Sequence, residues 1–77
     1  MDFPSLKAQK FLRVLLREPL NYEVTRQNGS HRKLESRNGY PDLLFSFHDG
    51  VTIPGGAVKK ILVKDVGLDE DSARKLV

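Results

Sequence analysis

Gln27-Asn28-Gly29-Ser30-His31-Arg32-Lys33 is the stretch on which the fold turns. An Asn-Gly pair lies there between two runs that alternate apolar and polar residues, and both residues tolerate the positive φ that a tight turn between antiparallel strands demands. The spacing predicts a hairpin turning at Asn28-Gly29. Upstream, Tyr22, Val24 and Arg26 fall on one side of an extended chain and Glu23, Thr25 and Gln27 on the other, with β-branched residues enriched, which is the pattern of a strand. Downstream, the run from His31 to Ser36 reads as its more polar partner. His31 therefore stands where a strand leaves the turn, within reach of solvent and beside Arg26, Arg32 and Lys33.

Working outward, Asn38-Gly39-Tyr40-Pro41-Asp42 repeats the Asn-Gly signature, and Leu43 to His48 is the most apolar strand, which completes a three-stranded meander. Before the hairpin, Ser5 is placed to cap a helix that runs to about Arg17 and is stopped by Pro19. At 100° per residue Ala8, Phe11, Leu12 and Leu15 share one stripe of it, with Lys10, Arg13 and Arg17 opposite. After the strands, Asp49 to Gly56 reads as a loop. It leads into a second helix, Ala57 to Val66, whose Val58, Ile61, Leu62 and Val66 keep helical spacing and which Gly67 closes. Asp69 is placed to cap a last short turn containing Ala73 and Leu76. The expected fold is α+β, a three-stranded antiparallel sheet covered by helices in the order α-β-β-β-α, within a single domain spanning residues 1–77.

Seventy-seven residues with 39% apolar and 30% charged side chains describe a small globular chain, and no apolar run approaches the roughly 20 residues of a spanning helix. The start, Met1-Asp2-Phe3-Pro4, lacks the charged and apolar regions of a secretory signal. The absence of cysteine excludes disulfides and thiolate metal sites and fits a reducing, cytoplasmic setting. The formal +3 charge is unevenly spread: residues 1–40 carry eight Lys/Arg against four acids, a net of +4, and the remainder is slightly acidic at -1. A positive field around the His31 turn would attract a polyanion or an acidic protein.

His31 is the first candidate for chemistry, because an imidazole with an ordinary pKa of about 6.5 both takes and gives a proton near neutrality. RNA offers a suited reaction, in which a base removes the 2′-hydroxyl proton and the oxygen attacks the adjacent phosphorus while neighbouring cations stabilise the added charge. A surface histidine that only hydrogen-bonds or stacks on a base remains open beside that reading. A nucleophilic Ser30 lacks an acid to orient the histidine, and turn chemistry explains the serine better. His31, His48 and Asp49 match no metal-ligand spacing, so neither a metal nor a cofactor is expected. Lys59-Lys60 follows Gly55-Gly56 at the start of the second helix, where cations are favoured if a phosphate docks there too; a solvated lysine pair is the alternative. The aromatic residues Tyr22, Tyr40, Phe45 and Phe47 read as core and turn residues.

The first helix, the strand Tyr22 to Gln27, Asn28-Gly29-Ser30-His31, and Ile53-Pro54-Gly55-Gly56-Ala57-Val58-Lys59-Lys60-Ile61-Leu62 ending in Val66-Gly67-Leu68 together resemble the HicA family, toxin ribonucleases of HicA-HicB toxin-antitoxin pairs. The resemblance covers about Ser5 to Leu68. It implies a double-stranded-RNA-binding-domain-like fold and an mRNA-cleaving toxin that uses the Gly-Ser-His histidine, here His31, to block translation. It also implies a HicB-type antitoxin that covers the active site, operator DNA being reached only through that partner. Two departures stand out: the loop around Asp49-Gly50 is less basic than in the family, and Ala57 replaces a threonine often found near the start of the second helix. The expected site is His31 as general acid/base of metal-independent RNA cleavage, with Arg26, Ser30, Arg32, Lys33, Lys59 and Lys60 on the RNA. A non-catalytic RNA-binding module of the same fold and a protein-interaction domain with a basic face are the alternatives.

Overall fold

The computed structural model describes residues 3–77. In chain order it contains β1 (Leu6–Lys7), α1 (Ala8–Leu16), β2 (Tyr22–Asn28), β3 (His31–Ser36), β4 (Leu43–Phe45), β5 (Thr52–Ile53) and α2 (Gly55–Lys59), which continues as a π-helical segment (Lys60–Asp65), and then α3 (Glu70–Leu76). The antiparallel sheet has the order β2-β3-β4, and β1 and β5 form a separate two-stranded pair. The α+β meander with helices is the expected one. No helix among the described residues is long and apolar enough to cross a membrane.

Helix α1 buries Ala8, Phe11, Val14 and Leu15, as its 3.6-residue period requires. Its start differs from the Ser5 cap expected, since Lys7 occupies the N-cap position and no side chain caps the helix. The reason is tertiary. Leu6 and Lys7 are extended and pair with Ile53 and Thr52, and this brings the carbonyls of Val51 and Asp49 onto the amides of Ala8 (2.8 Å) and Gln9 (3.3 Å). The stretch expected to be a plain loop thus supplies a strand and satisfies amides that every helix start leaves without an intrahelical partner.

The hairpin turns one residue later than its Asn-Gly signal suggests. Asn28 pairs with His31 in the ladder, which leaves Gly29-Ser30 as the two-residue turn. Gly29 has φ +65° and Ser30 is not in the left-handed region, the arrangement of a type II′ turn with glycine first. Strand β4 stops at Phe45 instead of reaching His48, because Phe45 already faces Arg32 and only His31 of β3 lies beyond. The second helix begins two residues before Ala57, with Pro54 at its N-cap. It ends as expected at Gly67, with φ +93°, and the Leu68 amide returns to the Leu62 carbonyl at 3.0 Å.

All helices pack on one face of the sheet. Tyr22, Leu34, Leu43 and Phe45 enter one continuous core with the α1 residues, Val58, Leu62, Val66 and Ala73. Phe45 joins the layers, its ring 6.3 Å from that of Phe11 and 5.4 Å from that of Phe47. Among the described residues nothing forms a covering layer on the other face, and there Leu44 is 72% exposed.

Two adjacent glycines have opposite surroundings. A Cβ on Gly55 would run into the backbone carbonyl of Phe3, whereas one on Gly56 would meet open space. Gly55→Ala is therefore expected to cost about 2 kcal/mol through overpacking, and Gly56→Ala to be neutral or to stabilise by up to about 1 kcal/mol through lower unfolded-state entropy. Urea unfolding of the two variants checks the contrast. Tyr22 gives a second handle: it is 3% exposed and donates its hydroxyl to the Pro41 carbonyl at 2.6 Å. Burial foremost, then Asp42 and Tyr40, push its phenol up to about 12. An unfolded phenol ionises near pH 10, so from there to about pH 12 the unfolded chain holds fewer protons than the folded one and stability falls as pH rises. The expected loss is on the order of 2 kcal/mol, and Tyr22→Phe should remove that part of the alkaline decline in a pH series of unfolding curves.

Candidate functional site

Strand β3 determines what shares a face with His31. Side chains alternate along a strand, so the wholly buried Leu34 sends Arg32 to the core face and sends Lys33 and His31 to the open one. His31 is exposed at the first position after the turn. Across from it, β2 carries a bulge: Val24 pairs with Leu34, Arg26 pairs with Lys33, and Thr25 is the extra residue. The simple alternation places Arg26 on the side of Tyr22 and Val24; the bulge moves it to the side of Lys33 and His31. The Gln27 amide donates to the Gly29 carbonyl at 3.1 Å and braces the turn, where Ser30 is half-buried.

The six cations and polar groups expected around RNA are placed differently from one another. Arg26 is exposed, and among the described residues it has no ion pair. Lys33 lies 3.9 Å from Glu35, whose carboxylate also accepts from the Thr25 hydroxyl at 2.8 Å. Arg32 turns inward. Its Nη2 meets Asp49 Oδ1 at 3.0 Å, its side chain is 13% exposed, and its Nη1 is buried without a partner among the described residues. Because the Asp49 carbonyl also receives the Gln9 amide, this ion pair ties the hairpin to the start of α1.

Lys59 and Lys60 lie in the helical layer. Lys59 is engaged by Glu70 of α3 at 2.8 Å, and the hydrogen bond from its ammonium holds that carboxyl below its usual range. Lys60 is exposed. With Gly56, Val63 and Lys64 the two lysines line a surface depression of about 280 Å³ that does not include His31. Sequence reasoning missed Glu35, Lys64 and the part of Asp49 as the partner of Arg32. The inward turn of Arg32, and with it the need for a buried-side acid, was available from its two-residue spacing to Leu34. His48 lies beyond β4, its carbonyl accepting from Val51 at 3.0 Å, and among the described residues no three histidine, aspartate or glutamate side chains gather as a metal-ligand set.

The arrangement is thus an exposed imidazole on an open sheet face, with one cation two residues along its own strand and a second across from that one. Residues 8–68 match the family described as HicA toxin of bacterial toxin-antitoxin. No curated protein and no solved structure matches. The matched span runs from the first residue of α1 to the residue after the Gly67 closure, and every candidate site residue lies inside it. The chain belongs to the HicA family of toxins of bacterial toxin-antitoxin pairs.

Proposed function

We propose that this toxin is an endoribonuclease, an mRNA interferase of a type II toxin-antitoxin system, acting as a single domain in the cytoplasm with His31 as its general acid/base. The observation that carries this reading is the company of His31 on the open face, where Lys33 stands two residues along the same strand and the Thr25 bulge brings Arg26 opposite Lys33. An RNA strand laid over this face would place a 2′-hydroxyl at the imidazole. The imidazole takes the hydroxyl proton, the 2′-oxygen bonds to phosphorus, and the bond from phosphorus to the 5′-oxygen breaks. The departing oxygen receives a proton from the imidazolium, and the products are a 2′,3′-cyclic phosphate and a 5′-hydroxyl. Arg26 and Lys33 stabilise the added charge on the phosphorane, and the step runs on imidazole and cations alone, without a metal.

The other polar residues divide between the RNA and the frame. Ser30, half-buried in the turn, shapes the approach to His31. Lys59 and Lys60 hold a more distant stretch of the same RNA, the exposed pair of Lys59 with Glu70 being weak enough to exchange for a phosphate. Arg32 serves the reaction by holding the strand that presents His31. The toxin's protein partner is a HicB-type antitoxin, and operator DNA is reached through it.

Purified wild-type chain is expected to cleave a defined mRNA, and His31→Ala to lose about 100-fold or more of the rate while still binding RNA. Equal cleavage by both would remove the assignment, and RNA binding without cleavage by the wild type would leave a non-catalytic RNA-binding module. The Arg32 tie makes a separate prediction. Asp49→Ala should cost about 1 to 2 kcal/mol in urea unfolding, because it leaves a mostly buried guanidinium without its acceptor. Arg32→Met should cost less than Asp49→Ala, since it removes the buried charge together with the need for a partner.

A further inference from the structure

The depression on the second helix has a feature that the fold does not explain. Gly55 is held to glycine by the Phe3 carbonyl, but Gly56 has only open space where its side chain would be. A glycine in a helical turn weakens the helix relative to alanine, so the fold alone would favour a side chain at Gly56. Gly56 lines the depression, and a Cβ built there meets nothing within 4 Å. Val63 and the aliphatic stems of Lys59, Lys60 and Lys64 make most of the wall carbon, and no acid lines it. Glu70 of α3 already pairs with Lys59 at the rim, while Lys60 and Lys64 make no ion pair among the described residues.

We propose that this depression is a docking seat for an acidic segment of a partner protein, which lays one apolar side chain over Gly56 and Val63 and sets its carboxylates against Lys60 and Lys64. Charge complementarity defines the occupant: every charged side chain that lines the depression is a lysine, and the chain's own Glu70 shows a carboxylate fitting one of them. RNA held by the same lysines leaves the apolar floor without a contact, so the acidic segment and RNA would compete for Lys60. The seat lies apart from the His31 face, His31 being absent from its lining. The inference does not rest on the ribonuclease reading.

The test uses two peptides of about fourteen residues, each helical with glutamates along one face. One carries leucines on the other face and the second carries serines in their place; binding to the full chain is followed by fluorescence anisotropy and amide chemical shifts. The leucine peptide is expected to bind about tenfold or more tightly than the serine peptide, the effect of burying one leucine side chain. Its shifts should centre on Gly56 and Val63. Gly56→Leu, which fills the depression and leaves the fold intact by circular dichroism, should abolish the preference, and Lys60→Glu with Lys64→Glu should weaken both peptides. Binding of neither peptide, equal binding of both, or a preference that survives Gly56→Leu would overturn the proposal. So would an RNA duplex whose binding falls about tenfold in Gly56→Leu while the peptide preference persists, since RNA would then be the occupant.

Discussion

Leu34 sits wholly buried in the one strand of the sheet that is paired on both sides, and its inward orientation decides where every neighbour goes. A slip of one residue would carry Leu34 to solvent and His31 into the core face, which the loss of buried apolar area opposes strongly. The address of His31 is therefore set by a hydrophobic residue three positions away. The same argument extends across the ladder. Val24 pairs with Leu34 and shares its side of the sheet, though 39% exposed, and one extra residue at Thr25 reverses the parity for the rest of β2, so that Arg26 stands opposite Lys33 on the open face.

The cations that a charge count treats alike separate into two energetic kinds. Exposed pairs such as Lys33 with Glu35 and Lys59 with Glu70 contribute little in water, so an incoming anion can replace the carboxylate at little cost. Arg32 is different, because its guanidinium is largely removed from water and its acceptor is Asp49; pulling it out to meet a phosphate would break the tie between β3 and the loop whose carbonyls satisfy the start of α1. The positive field of the first forty residues is thus partly structural. Arg26 and Lys33 carry the share of it that lies near the imidazole.

What was legible in the sequence was whatever a local period or a single residue enforces: the apolar stripe of α1, the hairpin ahead of His31, the glycine that ends the second helix. What was not legible depended on contacts distant in the chain. Ser5 looks like a cap in isolation, but Leu6 and Lys7 are drawn into a strand pair with residues more than forty positions away, and the helix is capped from there. The turn moved to Gly29-Ser30 because Asn28 gains a ladder partner. The bulge leaves no mark in the alternation of Tyr22 to Gln27, yet it decides which face Arg26 joins. At Gly55-Gly56 the sequence shows two equal loop residues, and only packing against Phe3 separates them.

The open face follows from the same economy of size. A chain of 77 residues buries a smaller share of its surface than a large domain does and depends on each apolar contact. A second layer over the sheet would bury Leu44, now 72% exposed, and would add stability. It would also cover His31, Lys33 and Arg26. An antiparallel sheet tolerates one solvated face because its residues alternate, and β3 places Leu34 inward and His31 outward within four residues. Keeping the face open thus forgoes the area that a covering layer would bury, which places the stability of the fold on its one helical layer and on the tie between Arg32, Asp49 and α1.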